Sequence, residues 1–269
     1  MLKINIKKYL IMKKIIIIGA GAMGSAFAVP CLENKNEVTI IGTHLEDDLI
    51  DSIKSNNNFH PALKVELPTK LKVEKYEKLK SILEREVDII VAGVSSIGIE
   101  WFVNQISKNY KKNLPIILLT KGLAIEDNEL ITLSDKIKKL LKKQGHEEVN
   151  VSAIKGPCLA AGLAYKMRTG TVIANPDIKE TEKLKKIIST DYYSTEISDD
   201  LTGVELAGAI KNIYSMLIGA SEGLSNSKAP KEIQSKYYLN TSASLIHRSI
   251  SEMVEFVSYY GGKVDTVYG

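Results

Sequence analysis

Arginine is nearly absent from this chain: among 36 basic residues only Arg85, Arg168 and Arg248 carry a guanidinium, and the others are lysine. The scarcity matters because planar, two-pronged clamping of phosphate or carboxylate is chiefly arginine chemistry. Cysteine is equally sparse, limited to Cys31 and Cys158, which leaves no disulfide framework and suits a reducing, cytoplasmic compartment. With 7 prolines, 18 glycines, 44% apolar and 25% charged residues, collagenous and disordered classes are excluded. Charge of either sign is unclustered: the formal net charge of +4 comes from 36 basic and 32 acidic residues spread along the chain, so nucleic acid is not an expected partner. No metal site is expected. What remains is an ordinary globular composition over 269 residues, enough for one large domain or two smaller ones.

The one long uncharged run, Ile15 to Leu32, follows a lysine-rich start and invites reading as a signal peptide or a membrane segment. Its internal order argues otherwise. Ile15-Ile16-Ile17-Ile18 is a short β-branched block that suits a buried parallel strand, and it stops at Gly19-Ala20-Gly21-Ala22-Met23-Gly24. That is a complete Gly-x-Gly-x-x-Gly between a strand and a helix, and no membrane span is expected. Gly19 permits a tight turn, Gly21 lets a pyrophosphate approach the backbone, and Gly24 lets the helix pack on the strand. The helix N-terminus offers unpaired N–H groups and positive dipole to the phosphates. Met12 is a natural start for such a domain, so residues 1–11 read as a non-structural N-terminal extension or a misassigned start.

Beyond the first helix, buried runs recur at Val38–Ile41, Val87–Val94, Ile116–Thr120, Val149–Ile154 and Thr171–Ala174, with a weaker one at Leu71–Glu74. Polar helical stretches such as Leu130–Lys143 separate them. This alternation predicts an α/β fold: an N-terminal Rossmann-type doubly wound sheet, with ligands bound beyond the carboxyl ends of its strands. Thr43, Ser95, Lys121 and Gly156 fall just after strands. The second strand ends in Gly42-Thr43-His44, with neither the acid that usually meets a ribose diol nor the arginine that usually meets a 2′-phosphate. Thr43 can bond to either cofactor and His44 tolerates a 2′-phosphate, so NAD and NADP both remain open; His44 is equally readable as a solvent-facing loop residue.

From about Leu201 the texture changes to long helices, Leu201–Ser221 and Ser235–Tyr259. A division near residue 198 follows, giving a cofactor domain over 12–198 and a partial, all-α domain over 199–269. In the first helix Lys211 shares a stripe with Val204, Gly208, Ser215 and Ile218. An ammonium buried there would have its pKa lowered, as a general base requires, since an ordinary lysine is deprotonated in only about one molecule in 2,500 at pH 7. Lys121, at the end of a buried strand, is a second positive charge that can assist. The plainer alternative has the Lys211 stem packing and its head in solvent.

Five segments in order, Gly19–Gly24, Gly93-Val94-Ser95-Ser96, Thr120-Lys121-Gly122-Leu123, Gly156-Pro157-Cys158-Leu159-Ala160 and Gly203-Val204-Glu205-Leu206-Ala207-Gly208-Ala209-Ile210-Lys211-Asn212, resemble the NAD(P)-dependent glycerol-3-phosphate dehydrogenases from Met12 onwards. The resemblance implies that Lys211 is the acid/base for the secondary alcohol of a small phosphorylated substrate. It implies that Lys121 touches both substrate and nicotinamide, that Gly156 and Cys158 form a substrate-contacting turn, and that Asn212 orients the substrate. Ala22 and Met23 would lie along the pyrophosphate, and Ala160 against the cofactor. The implied reaction interconverts dihydroxyacetone phosphate and glycerol 3-phosphate, a precursor of glycerophospholipids.

Two departures qualify the resemblance. Cys158 stands where the family usually has serine, and as a weak hydrogen-bond donor it reads best as a small packed residue. The chain also stops at Gly269, before the family's Gly-Leu-x-x-x-Gly-Asp-Leu stretch and its phosphate-gripping Arg-Asn pair, so a truncated or split enzyme of impaired activity is expected. Competing readings are a catalytically silent NAD(P)-binding subunit and a ketopantoate reductase-like enzyme. Two helices, one apolar nearly all round, cannot cover each other, so an exposed apolar patch or a homodimer through the helical domain is expected.

Overall fold

The computed structural model describes residues 12–228 and 239–268. The expected extension over 1–11, the first residues of the expected helix from Ser235, and Gly269 lie outside them. The chain opens with β1 (Lys14–Ile18), α1 (Ala22–Glu33), β2 (Glu37–Ile41) and α2 (Asp47–Ser55). A small hairpin, β3 (Phe59–His60) with β4 (Val65–Glu66), leads to β5 (Lys72–Glu74), α3 (Leu79–Leu83), β6 (Ile89–Ala92), α4 (Ile99–Ile106) and β7 (Ile116–Leu118). A second hairpin, β8 (Leu123–Glu126) with β9 (Glu129–Thr132), precedes α5 (Leu133–Lys143) and β10 (Val151–Lys155). Then come α6 (Ala160–Ala164), β11 (Thr169–Ala174), α7 (Ile178–Ile188) and β12 (Tyr193–Ser198), and last the helices α8 (Leu201–Lys228), α9 (Leu239–Tyr259) and α10 (Asp265–Tyr268).

Eight strands form one sheet in the order β12-β11-β10-β7-β6-β1-β2-β5. All neighbours are parallel except β10 and β11, so β11 and β12 run opposite to the rest. The isoleucine block shows why a doubly covered sheet forms. Successive strand residues face opposite sides. Ile15 and Ile17 join a core with Phe27 of α1, Ile50 of α2 and Leu184 of α7, while Ile16 and Ile18 join another with Phe102 of α4 and Ile137 of α5. A run that is apolar on both faces stays in water only at great cost, and two helical layers remove it from water.

Two expectations need correction. The stretch Leu130–Lys143 is not all helix: β9 runs to Thr132, and the Thr132 hydroxyl then accepts from the Asp135 N–H to cap α5. The strand β12 was not anticipated, although Tyr193 and Thr195 are buried and Ser194 and Glu196 exposed, the alternation of a strand covered on one face.

The helix α8 starts on the sheet and then leaves it. Leu201 and Val204 pack on Ala153 and Ala174 of β10 and β11. Asp200 fastens this root: one carboxylate oxygen accepts from the Gly203 N–H at 2.9 Å, and the other from the Lys263 N–H at 2.8 Å and the Thr266 hydroxyl at 2.5 Å. Further along, α8 pairs with α9 and carries exposed apolar side chains, Ile213 at 55% and Met216 at 66% of full exposure. The expected apolar surface is thus present.

Candidate active site

The five inner parallel strands β2, β1, β6, β7 and β10 end on one edge, and the chain segments singled out from the sequence converge there. Gly19 leaves β1 with φ +110°, a left-handed conformation, and its Cα lies so close to β6 that an added Cβ would stand 2.7 Å from the Gly93 carbonyl. An added Cβ on Gly24 would stand 2.4 Å from the Gly19 oxygen. Only hydrogen fits at either place. Gly21 differs: a Cβ there would meet nothing nearer than Glu46 Oε1 at 3.9 Å, so the backbone between Gly19 and Gly24 faces open space. Helix α1 begins directly after Gly21 with no side-chain cap, and its first N–H groups are free to meet phosphate oxygens. A dinucleotide pyrophosphate fits this cradle. Ala22, Met23 and Ala160 are half-buried and pack against the same core, which brings the start of α6 beside the start of α1.

Three side chains that sequence reasoning passed over hold the loop. Ser25 Oγ donates to the Ala20 carbonyl at 2.9 Å, and His60 Nε2 lies 3.0 Å from the same oxygen. The Leu63 N–H donates to His60 Nδ1, which makes Nδ1 the acceptor and leaves the proton on Nε2 to donate to Ala20. On the other side of the same residue, Glu46 Oε2 accepts from the Ala20 N–H at 3.0 Å and from the Thr43 N–H at 2.7 Å. An acid therefore does stand at this mouth, five residues beyond the end of β2 instead of at it. His44 is exposed, yet its ring lies 5.1 Å from Trp101 and 6.3 Å from Tyr76, centroid to centroid, so it packs against aromatics.

Further along the edge, Thr120 Oγ1 donates to the Val94 carbonyl at 2.7 Å, and Lys121 Nζ donates to the Gly156 carbonyl at 3.4 Å. The Lys121 pKa is lowered by its half-burial and by the neighbouring Lys211 ammonium, with the Cys158 thiol opposing. Lys121 thus bonds to the Gly156 carbonyl and lies within electrostatic reach of Lys211 and Cys158. Cys158 is buried, and burial raises its thiol pKa, as a packed residue requires. Lys211 is half-exposed and makes no ion pair among the described residues. The helix pattern left open whether Lys211 is buried or reaches solvent, and the fully buried lysine here is a different residue. Asn212 is exposed.

That buried lysine is Lys155, the last residue of β10. Its ammonium donates to the carbonyls of Leu118 at 3.2 Å and Thr120 at 2.5 Å, and burial pushes its pKa down to about 8. Helix α8 crosses so closely that a Cβ on Gly208 would stand 3.1 Å from Lys155 Cγ. Glu205, one turn earlier on α8, is also buried; Oε1 accepts from the Ser134 N–H at the start of α5, and Oε2 has no hydrogen-bond partner. Burial raises the Glu205 carboxyl pKa and the Lys155 charge opposes it. Glu205 bonds α8 to the start of α5, and Gly208, one turn before Lys211, packs on the Lys155 stem.

A family model described as the NAD-dependent glycerol-3-phosphate dehydrogenase N-terminus matches residues 14–181, and one for the C-terminus of the same enzyme matches 200–269. The chain belongs to the NAD-dependent glycerol-3-phosphate dehydrogenase family. It is 34% identical to the NADP(+)-dependent glycerol-3-phosphate dehydrogenase of Archaeoglobus fulgidus, over 94% of this chain and 72% of that protein. It is 28% identical to a glycerol-3-phosphate dehydrogenase [NAD(P)+] of Clostridium botulinum, over 96% of this chain and 71% of that protein. Among solved structures, a glycerol-3-phosphate dehydrogenase from Coxiella burnetii superposes with a TM-score of 0.77 at 25% identity, covering 96% of this chain and 72% of that one.

Within this dehydrogenase family frame, the residues missed from the sequence share a reason. Glu46, His60, Lys155 and Glu205 act through hydrogen bonds to backbone groups distant in sequence, and no spacing rule announces such partners. Lys155 alone carried a signal: a lysine ending an apolar strand directly before Gly156.

Proposed function

We propose that this chain interconverts glycerol 3-phosphate and dihydroxyacetone phosphate with NAD or NADP, through a cofactor unit over residues 12–198 and a substrate unit over 199–269. The observation that carries the reading is the glycine cradle, closed to any side chain at Gly19 and Gly24 and open at Gly21, on the strand edge where Lys121 reaches the Gly156 carbonyl and feels the Lys211 charge. Two ammonium groups at close quarters repel each other, and an anionic substrate lodged between them relieves the repulsion. A phosphorylated three-carbon alcohol is such an anion.

A bound nicotinamide dinucleotide would supply the hydride acceptor. Gly19, Gly21 and Gly24 would keep the loop clear for it, the N–H groups at Ala22 and Met23 would hold its pyrophosphate, Thr43 and His44 would border its ribose, and Ala160 would bound it from α6. Lys211 Nζ takes the proton of the C2 hydroxyl as the C2 hydrogen leaves as hydride, which turns the alcohol into a ketone; in the reverse direction the same nitrogen returns the proton. Lys121 holds the substrate and stabilises negative charge developing on its oxygen. Gly156 and Cys158 line the turn below, and Asn212 orients the substrate once it has reached α8. The exposed apolar side chains of α8 support association of two copies through this helix, and the paucity of cysteine supports a reducing, cytoplasmic setting.

The reading is tested with the full chain by following NADH and NADPH oxidation in the presence of dihydroxyacetone phosphate, alongside nucleotide binding by fluorescence. Lys211→Ala is expected to lower turnover at least 100-fold while nucleotide affinity stays within about threefold, the span general acid/base catalysis supplies. Turnover unchanged by Lys211→Ala removes the assigned role, and nucleotide binding without any turnover by the unmodified chain favours a silent subunit.

A further inference from the structure

Lys155 takes no part in the chemistry proposed above, yet it is the one buried lysine or arginine among the described residues, with 4% of its surface exposed. An ammonium taken out of water is costly unless its protons are bonded. Its partners are the carbonyls of Leu118 and Thr120, at 3.2 and 2.5 Å. Both lie at the end of β7, the second directly before Lys121.

The connection runs in two directions. Regular pairing of β7 with β10 ends at Leu118 and Ala153. Past that point two lysines join the strand ends: Lys155 Nζ reaches the carbonyl before Lys121, and Lys121 Nζ reaches the carbonyl of Gly156, directly after Lys155, at 3.4 Å. The two halves are unequal. The Lys155 bond is short and buried, whereas the Lys121 bond is long and its side chain half-buried, so the Lys121 head can exchange a carbonyl for an incoming anion while its backbone stays in place.

The backbone at Lys121 has need of such a fastening. Gly122 follows it with φ +136°, a conformation that favours glycine, the least restrained of residues. On the near side Thr120 is held twice, by its hydroxyl to the Val94 carbonyl just past β6 at 2.7 Å and by its carbonyl to Lys155. Charge acts in the same sense. Burial is the main cause of the lowered Lys155 pKa; Glu205 of α8 opposes it and the Lys121 ammonium adds to it. Repulsion between the two ammonium groups disfavours a Lys121 head folded back onto the carbonyls that Lys155 already occupies.

We propose that Lys155 is a positioning residue for substrate capture: by fastening the carbonyl that precedes Lys121, it fixes where the Lys121 ammonium meets an anionic substrate. Lys155 acts through Lys121 and touches neither substrate nor cofactor. The inference rests on this strand edge being the site of a small phosphorylated alcohol.

Equilibrium titration of the full chain, saturated with NADH, with glycerol 3-phosphate tests this without turnover, because the two are both reduced and cannot react. Lys155→Met is expected to weaken glycerol 3-phosphate about tenfold or more while NADH affinity stays within about threefold. Lys121→Met is expected to weaken it at least as much. The double variant should be no more than about twofold weaker than Lys121→Met alone, since the second change removes a support whose load is already gone. A folded Lys155→Met chain with unchanged glycerol 3-phosphate affinity overturns the proposal, and so do losses that multiply in the double variant, as a merely structural role would give. Where the methionine variant does not fold, Lys155→Gln, which keeps an amide donor on a shorter stem, enters the same cycle with an expected loss of about threefold, and no loss overturns the proposal equally. An unmodified chain that binds NADH but no glycerol 3-phosphate overturns the substrate reading itself, and the positioning role with it.

Discussion

The two stretches of α8 on either side of Lys211 have similar apolar content and opposite surroundings. From Leu201 to Gly208 the helix lies on β10 and β11, with Leu201, Val204 and Leu206 buried and Glu205 and Lys155 facing each other's charge in its shadow. From Asn212 onward Ile213, Met216, Leu217 and Leu224 stand exposed. The sheet supplies the first stretch with a partner surface and polar groups that match its own; among the described residues the second pairs with α9. Apolar residues in a helix announce that something is to be covered, and the location of that cover is information carried by the rest of the chain.

The contrast is most easily broken at Lys155. Lys155→Met leaves the Glu205 carboxyl and the carbonyls of Leu118 and Thr120 without their cation, and a loss of about 3 kcal/mol in unfolding free energy is expected from chemical denaturation at pH 7. The pH dependence carries a sign. Lys155 has a pKa of about 8 in the fold against an ordinary 10.5, so between those values the unfolded chain binds more protons than the folded one. Stability contributed by this site therefore rises as pH climbs from about 8 toward 10.5 and is lowest below pH 8. The gap between wild type and Lys155→Met should widen over that window. A gap that stays flat means that the buried amine is not the titrating group.

A smaller effect is expected at the root of α8. Asp200→Ala removes the bond to the Gly203 N–H and both bonds to the Lys263–Thr266 segment. Caps of this type contribute about 1 kcal/mol, and the additional bonds raise the expected loss to about 2 kcal/mol. Hydrogen exchange should speed at Gly203 and Lys263 together, and faster exchange at only one of them would mean that the two are not coupled through this carboxylate.

The smallest effect is expected at the exposed half. Met216→Gln on a solvent-facing helix should change stability by less than about 0.5 kcal/mol. A larger loss, together with a lower sedimentation coefficient, would show that a second copy covers this face and that the contrast between the two stretches of α8 vanishes in the assembly.

Most of the fold was legible because its strands are short, β-branched and bounded by turn residues, as Ile15–Ile18 and Val38–Ile41 illustrate. The tight turn at Gly19 and the close helix packing at Gly24 were legible as well. What escaped was of two kinds. The hairpin of β8 and β9 turns on Asp127 and Asn128, both with positive φ, 53° and 63°. That pair favours a two-residue hairpin, but its polarity blended into the helix that follows. Glu46 and Lys155 escaped because their meaning lies in backbone groups they reach across the fold. The helix pattern identified an apolar stripe through Gly208, and the side chain packed against it there is Lys155, from the strand beneath.

The carboxylate of Asp200 joins the first turn of α8 to the residues that follow α9, so the two long helices leave the body of the protein and return to a single point. An excursion whose exit and re-entry coincide can be lengthened or shortened by whole turns, equally in both arms, without altering the spacing of anything it interrupts. The junction has the geometry of a socket. Helices of different length could be exchanged there while Lys155, Glu205 and the sheet edge stay where they are.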